Sequence, residues 1–166
     1  EKETFHNFDG GGSCKSFVYI GRVEPLKGIY EIIEAADRFN EEISIDVYGP
    51  LHKEMSRDFF TKQRNVKYCG VVNPEDVTKT LQKYDALLFP TYYPNEGYSG
   101  VILEAYSAGI PVICSRWLDL PDIVDENSGI LITPKDVESL YLAMQELILN
   151  SDHYRHLRLG VLEKRN

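Results

Sequence analysis

The sequence predicts an α/β domain built on a doubly wound parallel sheet, and three observations lead to that class. From residue 17 onward, short apolar stretches typical of strands alternate with amphipathic patterns typical of helices. Several of the strands are apolar at every position, as in sheets covered by helices on both faces. The length of 166 residues is that of about one domain. Strands and helices that alternate in this way favour parallel pairing through helical crossovers.

The first half of the chain is predicted to hold three strands, each followed by a helix. The strands are expected at residues 17–20, 43–47 and 66–69. Apolar residues at helical spacing place the first two helices at 29–36 and 51–59. The third helix is expected to have Asn73 as its N-cap, because Pro74 follows at the first helical position.

The second half is predicted to continue the same alternation with continuously apolar strands. These strands are expected at residues 86–89, 112–114 and 130–132. Helical patterns follow at residues 101–108, 120–124 and 137–148. Ser151 is expected to cap a final helix that runs toward Leu162.

Charge and composition exclude several classes of function. The 18 basic and 26 acidic residues give a net charge of −8, which disfavours non-specific nucleic acid binding because such binding needs Lys and Arg to replace phosphate counterions. No stretch reaches the roughly 18 apolar residues of a membrane span, and the first 15 residues lack the apolar core of a signal peptide. The three cysteines form no CxxC pair. We therefore expect a cytoplasmic protein without a nucleic acid partner.

The first 15 residues are predicted to be a linker or a tail from an upstream domain. Residues 9–13 are polar and rich in Gly, and the sequence does not begin with Met. The single domain is expected to occupy residues 16–166. We therefore expect the chain to be a piece of a longer protein.

The loop after the first strand contains a candidate anion site. Open α/β sheets bind ligands at the carboxyl ends of their strands, so functional residues are expected in such loops. Arg22 and Lys27 lie five residues apart between Gly21 and Gly28, where a helix begins. The two cations and the free N–H groups of the helix can converge on a diphosphate. The alternative is that both are solvated surface cations, as most Arg and Lys residues are.

The loop after the fourth strand contains two candidate carboxylates. Glu96 lies in the Pro- and Gly-rich loop, and Glu104 lies in the following helix among apolar and small residues. A carboxylate in such surroundings requires a partner, and sugar hydroxyls are suitable donors. The alternative for Glu104 is a bond to a neighbouring backbone N–H group or a cation.

The loop after the fifth strand contains Trp117, the only Trp in the chain. Trp117 could cover a ligand, but packing is the favoured role because leucines flank it at positions 118 and 120. Metal ligands are not indicated: the chain has no DxD pair to hold a metal against a diphosphate, and His153 and His156 lack a third ligand. We predict neither a metal nor another cofactor.

Four sequence blocks, taken in order, resemble one protein family. They are residues 17–28 (FVYIGRVEPLKG), 85–90 (DALLFP), 96–105 (EGYSGVILEA) and 108–113 (AGIPVI). Together they resemble the C-terminal donor-binding domain of GT-B glycosyltransferases, in the retaining family 4 group (glycosyl transferases group 1). The resemblance covers about residues 17–150 and implies a Rossmann-like fold, the C-terminal half of GT-B.

The resemblance implies a role for each matched residue. Arg22 and Lys27 match the cations that hold the nucleotide diphosphate and stabilise the leaving group. Glu96 matches the carboxylate beside the donor sugar, and these three residues are the implied catalytic set. Glu104 matches the carboxylate that binds the ribose hydroxyls. The other implied donor-binding residues are Gly21, Gly70, Val72, Gly97, Tyr98, Ser99, Gly100 and Val101.

One departure from the family pattern concerns the loop that contacts the sugar. Many members have Gly-Phe-Gly-Leu after the first Glu, whereas this chain has Gly-Tyr-Ser-Gly at residues 97–100. The second Gly is therefore shifted by one position. We expect the contacts of this loop with the sugar to differ from those of other members.

The function implied by the resemblance is nucleotide-sugar binding in a retaining glycosyltransferase. The donor is expected to be a UDP-sugar, and the hexosyl group is expected to pass to a glycan or lipid-linked acceptor in polysaccharide or lipopolysaccharide biosynthesis. We expect an N-terminal domain, absent from this chain, to bind the acceptor. The full-length enzyme is expected in the cytoplasm, where it would associate peripherally with the inner face of the plasma membrane. Two alternatives remain open: half of a GT-B nucleotide-sugar epimerase, and a non-catalytic α/β interaction domain.

Overall fold

A six-stranded sheet forms the centre of the protein, and the computed structural model describes residues 12–40 and 42–165. The strands are β1 (Ser16–Ile20), β2 (Ser44–Tyr48), β3 (Val66–Gly70), β4 (Ala86–Phe89), β5 (Val112–Ser115) and β6 (Gly129–Ile132). All neighbouring strands pair in parallel, in the order β3-β2-β1-β4-β5-β6. The strand order reverses between β1 and β4, and a crevice opens at such a point in this class of sheet.

Six α-helices cover the sheet among the described residues, and three short 3-10 turns accompany them. The helices are α1 (Ile29–Asp37), α2 (Arg57–Thr61), α3 (Val77–Leu81), α4 (Gly100–Ala108), α5 (Val137–Leu149) and α6 (Ser151–Lys164). The 3-10 turns are Pro25–Lys27, Pro74–Asp76 and Leu120–Asp122. The α/β class and the doubly wound parallel sheet predicted from the sequence are therefore confirmed.

Two apolar cores lie on opposite faces of the sheet. One contains Phe17 and Tyr19 of β1 together with buried residues of α1, α2 and α5. The other contains Val18 of the same strand with buried residues of α3 and α4. Successive side chains of a strand point to opposite faces, so β1 is apolar at consecutive positions because both of its faces are buried.

The prediction of a helix at residues 51–59 was wrong in its first half. The backbone of this stretch pairs with the loop after β1: Val23 bridges to Leu51, the Val23 N–H group donates to Pro50 O at 2.9 Å, and His52 N–H donates to Val23 O at 3.0 Å. These bonds use backbone groups that a helix would need. Helix α2 therefore begins only after Ser56, whose side chain accepts a hydrogen bond from Phe59 N–H.

Two predicted helix starts also differ from the structure. Asn73 precedes a 3-10 turn that begins with Pro74, and it makes no side-chain cap, so the α-helical part starts later, at Val77. The last helix is capped by Asn150, whose Oδ1 accepts a hydrogen bond from His153 N–H at 3.0 Å. Ser151 is therefore the first helical residue, one position after the true cap.

The start of the chain lies mostly outside the described residues, including residues 1–11 of the predicted linker. In the described part, the Cys14 side chain is fully buried in the core. The Lys15 N–H group donates to Asp85 Oδ2 at 2.9 Å, just ahead of β1. Within the described ranges, no helix is both long enough and apolar enough to cross a membrane.

The packing of α6 gives a stability prediction at Gly160. A Cβ atom at this position would lie 1.8 Å from Asn127 O, so a side chain would force backbone apart. Alanine normally stabilises a helix interior by about 1 kcal/mol relative to Gly. We expect Gly160→Ala instead to lower the free energy of unfolding by about 1–3 kcal/mol, as overpacking does. Urea unfolding would measure it.

Gly100→Ala is the matched control for Gly160→Ala. Gly100 is also helical, but a Cβ atom there would meet nothing within 4 Å. We expect this variant to be at least as stable as the wild type, because no clash opposes the higher helix propensity of Ala. Equal unfolding free energies for Gly160→Ala and the wild type would show that α6 can shift away from Asn127.

Candidate functional site

The candidate site lies at the carboxyl edge of the sheet, where the loops after β1 and β4 meet. Tyr92 N–H of the β4 loop donates to Leu26 O of the β1 loop at 2.9 Å. Gly21 N–H donates to Tyr48 O at 3.0 Å, which holds the start of the β1 loop against the end of β2. The structure thus brings Arg22, Lys27 and Glu96 to one place, as expected from their positions after neighbouring strands.

Gly28 allows these two loops to touch. Its φ is +82°, and a Cβ atom there would lie 2.3 Å from Pro90 O. Both the left-handed backbone and the close approach require Gly. Gly28 also ends the 3-10 turn that carries Lys27 and is the N-cap of α1. Lys27 is therefore fixed between a helix start and the β4 loop.

An almost buried ion pair joins the two loops. Lys27 Nζ donates to Glu96 Oε2 at 2.6 Å, and the two side chains are 12% and 10% exposed. Thr91 Oγ1 donates to the same oxygen at 2.6 Å, and it accepts a hydrogen bond from Tyr93 N–H at 3.2 Å. Within the described residues, nothing donates to Glu96 Oε1, so that oxygen is available to a ligand. The carboxylate is therefore held on one side and open on the other.

Arg22 projects from the same loop with a more exposed side chain. Its guanidinium carbon lies 5.1 Å from the ring centre of Tyr93, and its Nη1 lies 3.6 Å from Glu24 Oε2. The backbone beneath it is fixed because the Tyr19 hydroxyl donates to Arg22 O at 2.6 Å. A hydrogen bond with the Tyr93 side chain, followed by the charge of Glu24, raises the pKa of Arg22. Arg22 therefore presents a permanent positive charge to the crevice.

Two buried titratable groups beside the site remain neutral. Cys114 lies near the end of β5 with a fully buried side chain, and burial followed by the negative charge of Glu96 raises its pKa to about 12. Burial also raises the pKa of Tyr19, with Glu96 as the next cause. Both groups stay neutral at physiological pH, so Lys27 and Arg22 are the charged partners that surround Glu96.

The second carboxylate, Glu104, lies in α4 and points to a different partner. Its Oε2 accepts a hydrogen bond from Thr78 Oγ1 of α3 at 2.9 Å. Neither of the partners considered from the sequence, a backbone N–H group or a cation, makes this contact. Glu104 is partly buried, and no hydrogen bond to its other oxygen is found in residues 12–40 and 42–165.

The start of α4 and the loop after β3 complete this edge of the sheet. Ser99 is the N-cap of α4 and makes no side-chain cap, so the first turn of the helix keeps N–H groups for another acceptor. Gly97 and Gly100 have open space around them, and Tyr98 is 72% exposed. Gly70 ends β3 with its carbonyl bonded to Gly49 N–H at 2.8 Å.

Four residues that sequence reasoning did not assign to the site hold its members in place. They are Thr78, Thr91, Tyr93 and Trp117. Trp117 is partly buried and packs against the core on one face, as predicted, and its Nε1 also donates to Tyr93 O at 2.9 Å. The signal in the sequence was the position of Thr91, Tyr93 and Trp117 in loops that follow buried strands.

An open cavity of about 280 Å³ adjoins Arg22. It lies between the loops that follow β1 and β2, with Glu24, Pro50, Leu51, His52 and Lys53 as its other lining residues. Across the described parts of the chain, no three His, Cys, Asp or Glu side chains come together as metal ligands would. The site is thus built from cations, carboxylates and backbone groups.

Comparison with known proteins shows the same architecture and sequence family. The family model described as glycosyl transferases group 1 matches residues 14–150. The O-antigen chain mannosyltransferase B of Escherichia coli is 28% identical over 132 residues, which are 74% of this chain and 34% of that protein. The chain thus spans about a third of the length of this curated relative.

Solved structures resemble the fold closely at low sequence identity. Anabaena HepE, solved in complex with UDP and glucose, superposes with a TM-score of 0.79 at 18% identity, over 92% of this chain and 44% of that chain. The C-terminal domain of the Francisella tularensis glycosyl transferase group 1 family protein LpcC gives 0.75 at 20% identity, over 90% and 83%. The fold is therefore that of a GT-B Rossmann-like domain, and the chain belongs to the glycosyl transferases group 1 family.

Proposed function

We propose that this domain binds the nucleotide-sugar donor of a retaining glycosyltransferase that moves a hexosyl group to a glycan or lipid-linked acceptor. The observation that carries the proposal is the convergence of Arg22, Lys27 and Glu96 at the carboxyl edge between β1 and β4. The two cations complement the negative charge of a diphosphate, and the ordered carboxylate can accept hydrogen bonds from the hydroxyl groups of the attached sugar.

The cations of the β1 loop are proposed to bind the diphosphate. Arg22 is half-exposed, so its fork of N–H groups can reach phosphate oxygens. Lys27 keeps donors beyond the one that it gives to Glu96. The N–H groups at the start of α4, from Gly100 and Val101, add the positive end of a helix dipole. Together these groups can neutralise the charge that forms on a departing nucleoside diphosphate.

The two carboxylates are proposed to bind hydroxyl groups at opposite ends of the donor. Glu96 lies beside the cations, so its free oxygen suits a hydroxyl of the transferred sugar. Glu104 is held by Thr78 on α3 and suits the ribose hydroxyls. The backbone at Gly70 and Val72, two half-buried residues at and just after the end of β3, would lie along the nucleobase.

Stabilising the leaving group accounts for the chemistry of the proposed transfer. The bond between the anomeric carbon and the phosphate oxygen breaks, and a bond from the acceptor oxygen forms on the same face. The acceptor proton passes to the departing diphosphate. Arg22 and Lys27 interact more strongly with the charge in the transition state than in the ground state, which is the condition for catalysis.

The acceptor, the donor sugar and the cellular role are proposed with the help of the relatives. One relative is named a mannosyltransferase of O-antigen chains, and HepE was solved with UDP and glucose. We propose a UDP-sugar donor for this chain and a role in polysaccharide or lipopolysaccharide synthesis in the cytoplasm. The chain spans about a third of the length of this relative. We therefore propose that a further domain binds the acceptor and makes any contact with the membrane. This chain alone is expected to bind the donor without transferring sugar.

Removal of either cation tests the diphosphate role. We expect Arg22→Ala and Lys27→Ala to weaken UDP binding by about 10- to 100-fold, since each removes a charge-assisted hydrogen bond. Uridine binding should be unchanged because uridine has no phosphate. Calorimetric titration of each variant with UDP, GDP and uridine measures the difference. Equal losses for UDP and uridine would contradict the role, and no nucleotide binding by the folded wild type would favour an interaction domain.

Glu104 and its partner Thr78 give a prediction in which uridine and UDP binding are weakened together. Glu104→Gln and Thr78→Val should each weaken uridine and UDP binding to the same extent, because both ligands have the ribose. We expect about a tenfold effect for Glu104→Gln and less for Thr78→Val, which only frees the carboxylate to turn. Thr61→Val, which loses a hydroxyl on the exposed side of α2, is the control. Unchanged uridine affinity in Glu104→Gln would refute the ribose assignment.

Metal independence is a further prediction of this proposal. Arg22, Lys27 and the start of α4 supply the positive charge that a divalent cation supplies in other phosphate sites. We expect UDP affinity to be the same in excess EDTA and in millimolar MgCl₂. A large gain in affinity with magnesium would show that the diphosphate is bound through a metal.

A further inference from the structure

Tyr93 lies against both cations of the proposed donor site. Its ring centre is 5.1 Å from the Arg22 guanidinium carbon and 4.8 Å from Lys27 Nζ. Both distances are within the range over which a cation is attracted to an aromatic ring. Both cations belong to the same loop, the one that follows β1.

We propose that Tyr93 is a positioning residue that holds Arg22 and Lys27 ready for the donor diphosphate; this inference rests on the proposed function. Two like charges on one short loop repel each other, and both are carried by long, flexible side chains. A ring that attracts both cations offsets the repulsion and limits their freedom. The two cationic side chains are then partly ordered before the diphosphate binds, which lowers the entropy cost of binding.

The face of the ring leaves most N–H donors of the two cations free, while Lys27 gives one donor to Glu96 and Arg22 also hydrogen-bonds with the Tyr93 side chain. Attraction to a ring comes from the charge of the cation and the quadrupole of the ring, so it consumes no N–H donor that a phosphate oxygen needs. The competing partner of Arg22 is Glu24, with 3.6 Å between Nη1 and Oε2. Glu24 also lines the cavity beside the site. Arg22 thus already contacts this carboxylate, and without the ring the pull of Glu24 would no longer be opposed by a contact on the side of Lys27.

Hydrogen bonds to both the N–H group and the carbonyl group of Tyr93 fix its backbone. Its carbonyl accepts a hydrogen bond from Trp117 Nε1 at 2.9 Å, which links it to the loop after β5. Its N–H group donates to Thr91 Oγ1 at 3.2 Å, and that hydroxyl donates to Glu96. The ring is therefore placed by the same bonds that order the carboxylate, and it can act as a fixed support rather than a mobile cover.

The test compares Tyr93→Phe with Tyr93→Leu in this chain, using UDP and uridine as ligands. Phe keeps the ring, so Tyr93→Phe should bind UDP as the wild type does. Leu removes the ring, so Tyr93→Leu should bind UDP about tenfold more weakly while its uridine affinity is unchanged. Tyr141→Leu is the matched control, because it removes the contact of a Tyr ring with Arg38, at 5.7 Å, on another part of the surface. Urea unfolding of all three variants separates stability from affinity.

Each outcome decides the matter. Loss of UDP affinity in Tyr93→Leu alone supports the proposal. Wild-type UDP affinity in Tyr93→Leu overturns the proposal but leaves the donor site intact. Equal losses of UDP and uridine affinity also overturn the proposal, because they would show that the ring contacts the nucleoside. A Phe variant as weak as the Leu variant overturns the role of the ring in favour of the hydroxyl. If the folded wild type binds no UDP, the proposed function fails and this inference fails with it.

Discussion

The close contact between Gly28 and Pro90 is the constraint on which the site depends. The Pro90 carbonyl occupies the space that a side chain at position 28 would need, so the loops after β1 and β4 can pack only with Gly there. This contact sets the distance between the strand ends on either side of the point where strand order reverses. Once it is made, Lys27 lies within hydrogen-bonding distance of Glu96, and Tyr93 comes to lie against both cations.

The charges of the site are balanced locally in a protein that is acidic overall. The net charge of −8 would repel a nucleotide at long range, so binding must come from short-range contacts in the crevice. Nearly complete burial of Lys27 and Glu96 would be costly for either charge alone. Pairing and the Thr91 hydroxyl offset the cost. The same bonds leave one Glu96 oxygen and two Lys27 donors unused, which is the arrangement expected of a site that is ordered before its ligand arrives.

The sequence predicted the strands to within two residues and placed Arg22, Lys27 and Glu96 at one edge of the sheet. These features depend on local patterns and on the rule that parallel strands share their carboxyl ends. The bonds that orient the functional groups were beyond such reasoning. Thr78 meets Glu104 across 26 residues of sequence, and Trp117 meets Tyr93 across 24. Contacts of this kind depend on the packing of separate elements. The wrong start predicted for α2 has the same cause, because Leu51 and His52, the first residues of the predicted helix, pair with Val23.

The hydroxyl and indole groups that support the site explain why its charged residues can be few. A cation or carboxylate on a flexible side chain pays conformational entropy when a ligand fixes it. Thr91 for Glu96 and Thr78 for Glu104 each reduce that cost with one hydrogen bond, using groups that carry no charge to compete with the ligand. Trp117 does the same for the backbone of Tyr93. These neutral supports order the charged groups without adding a further charge that would weaken their attraction to the ligand.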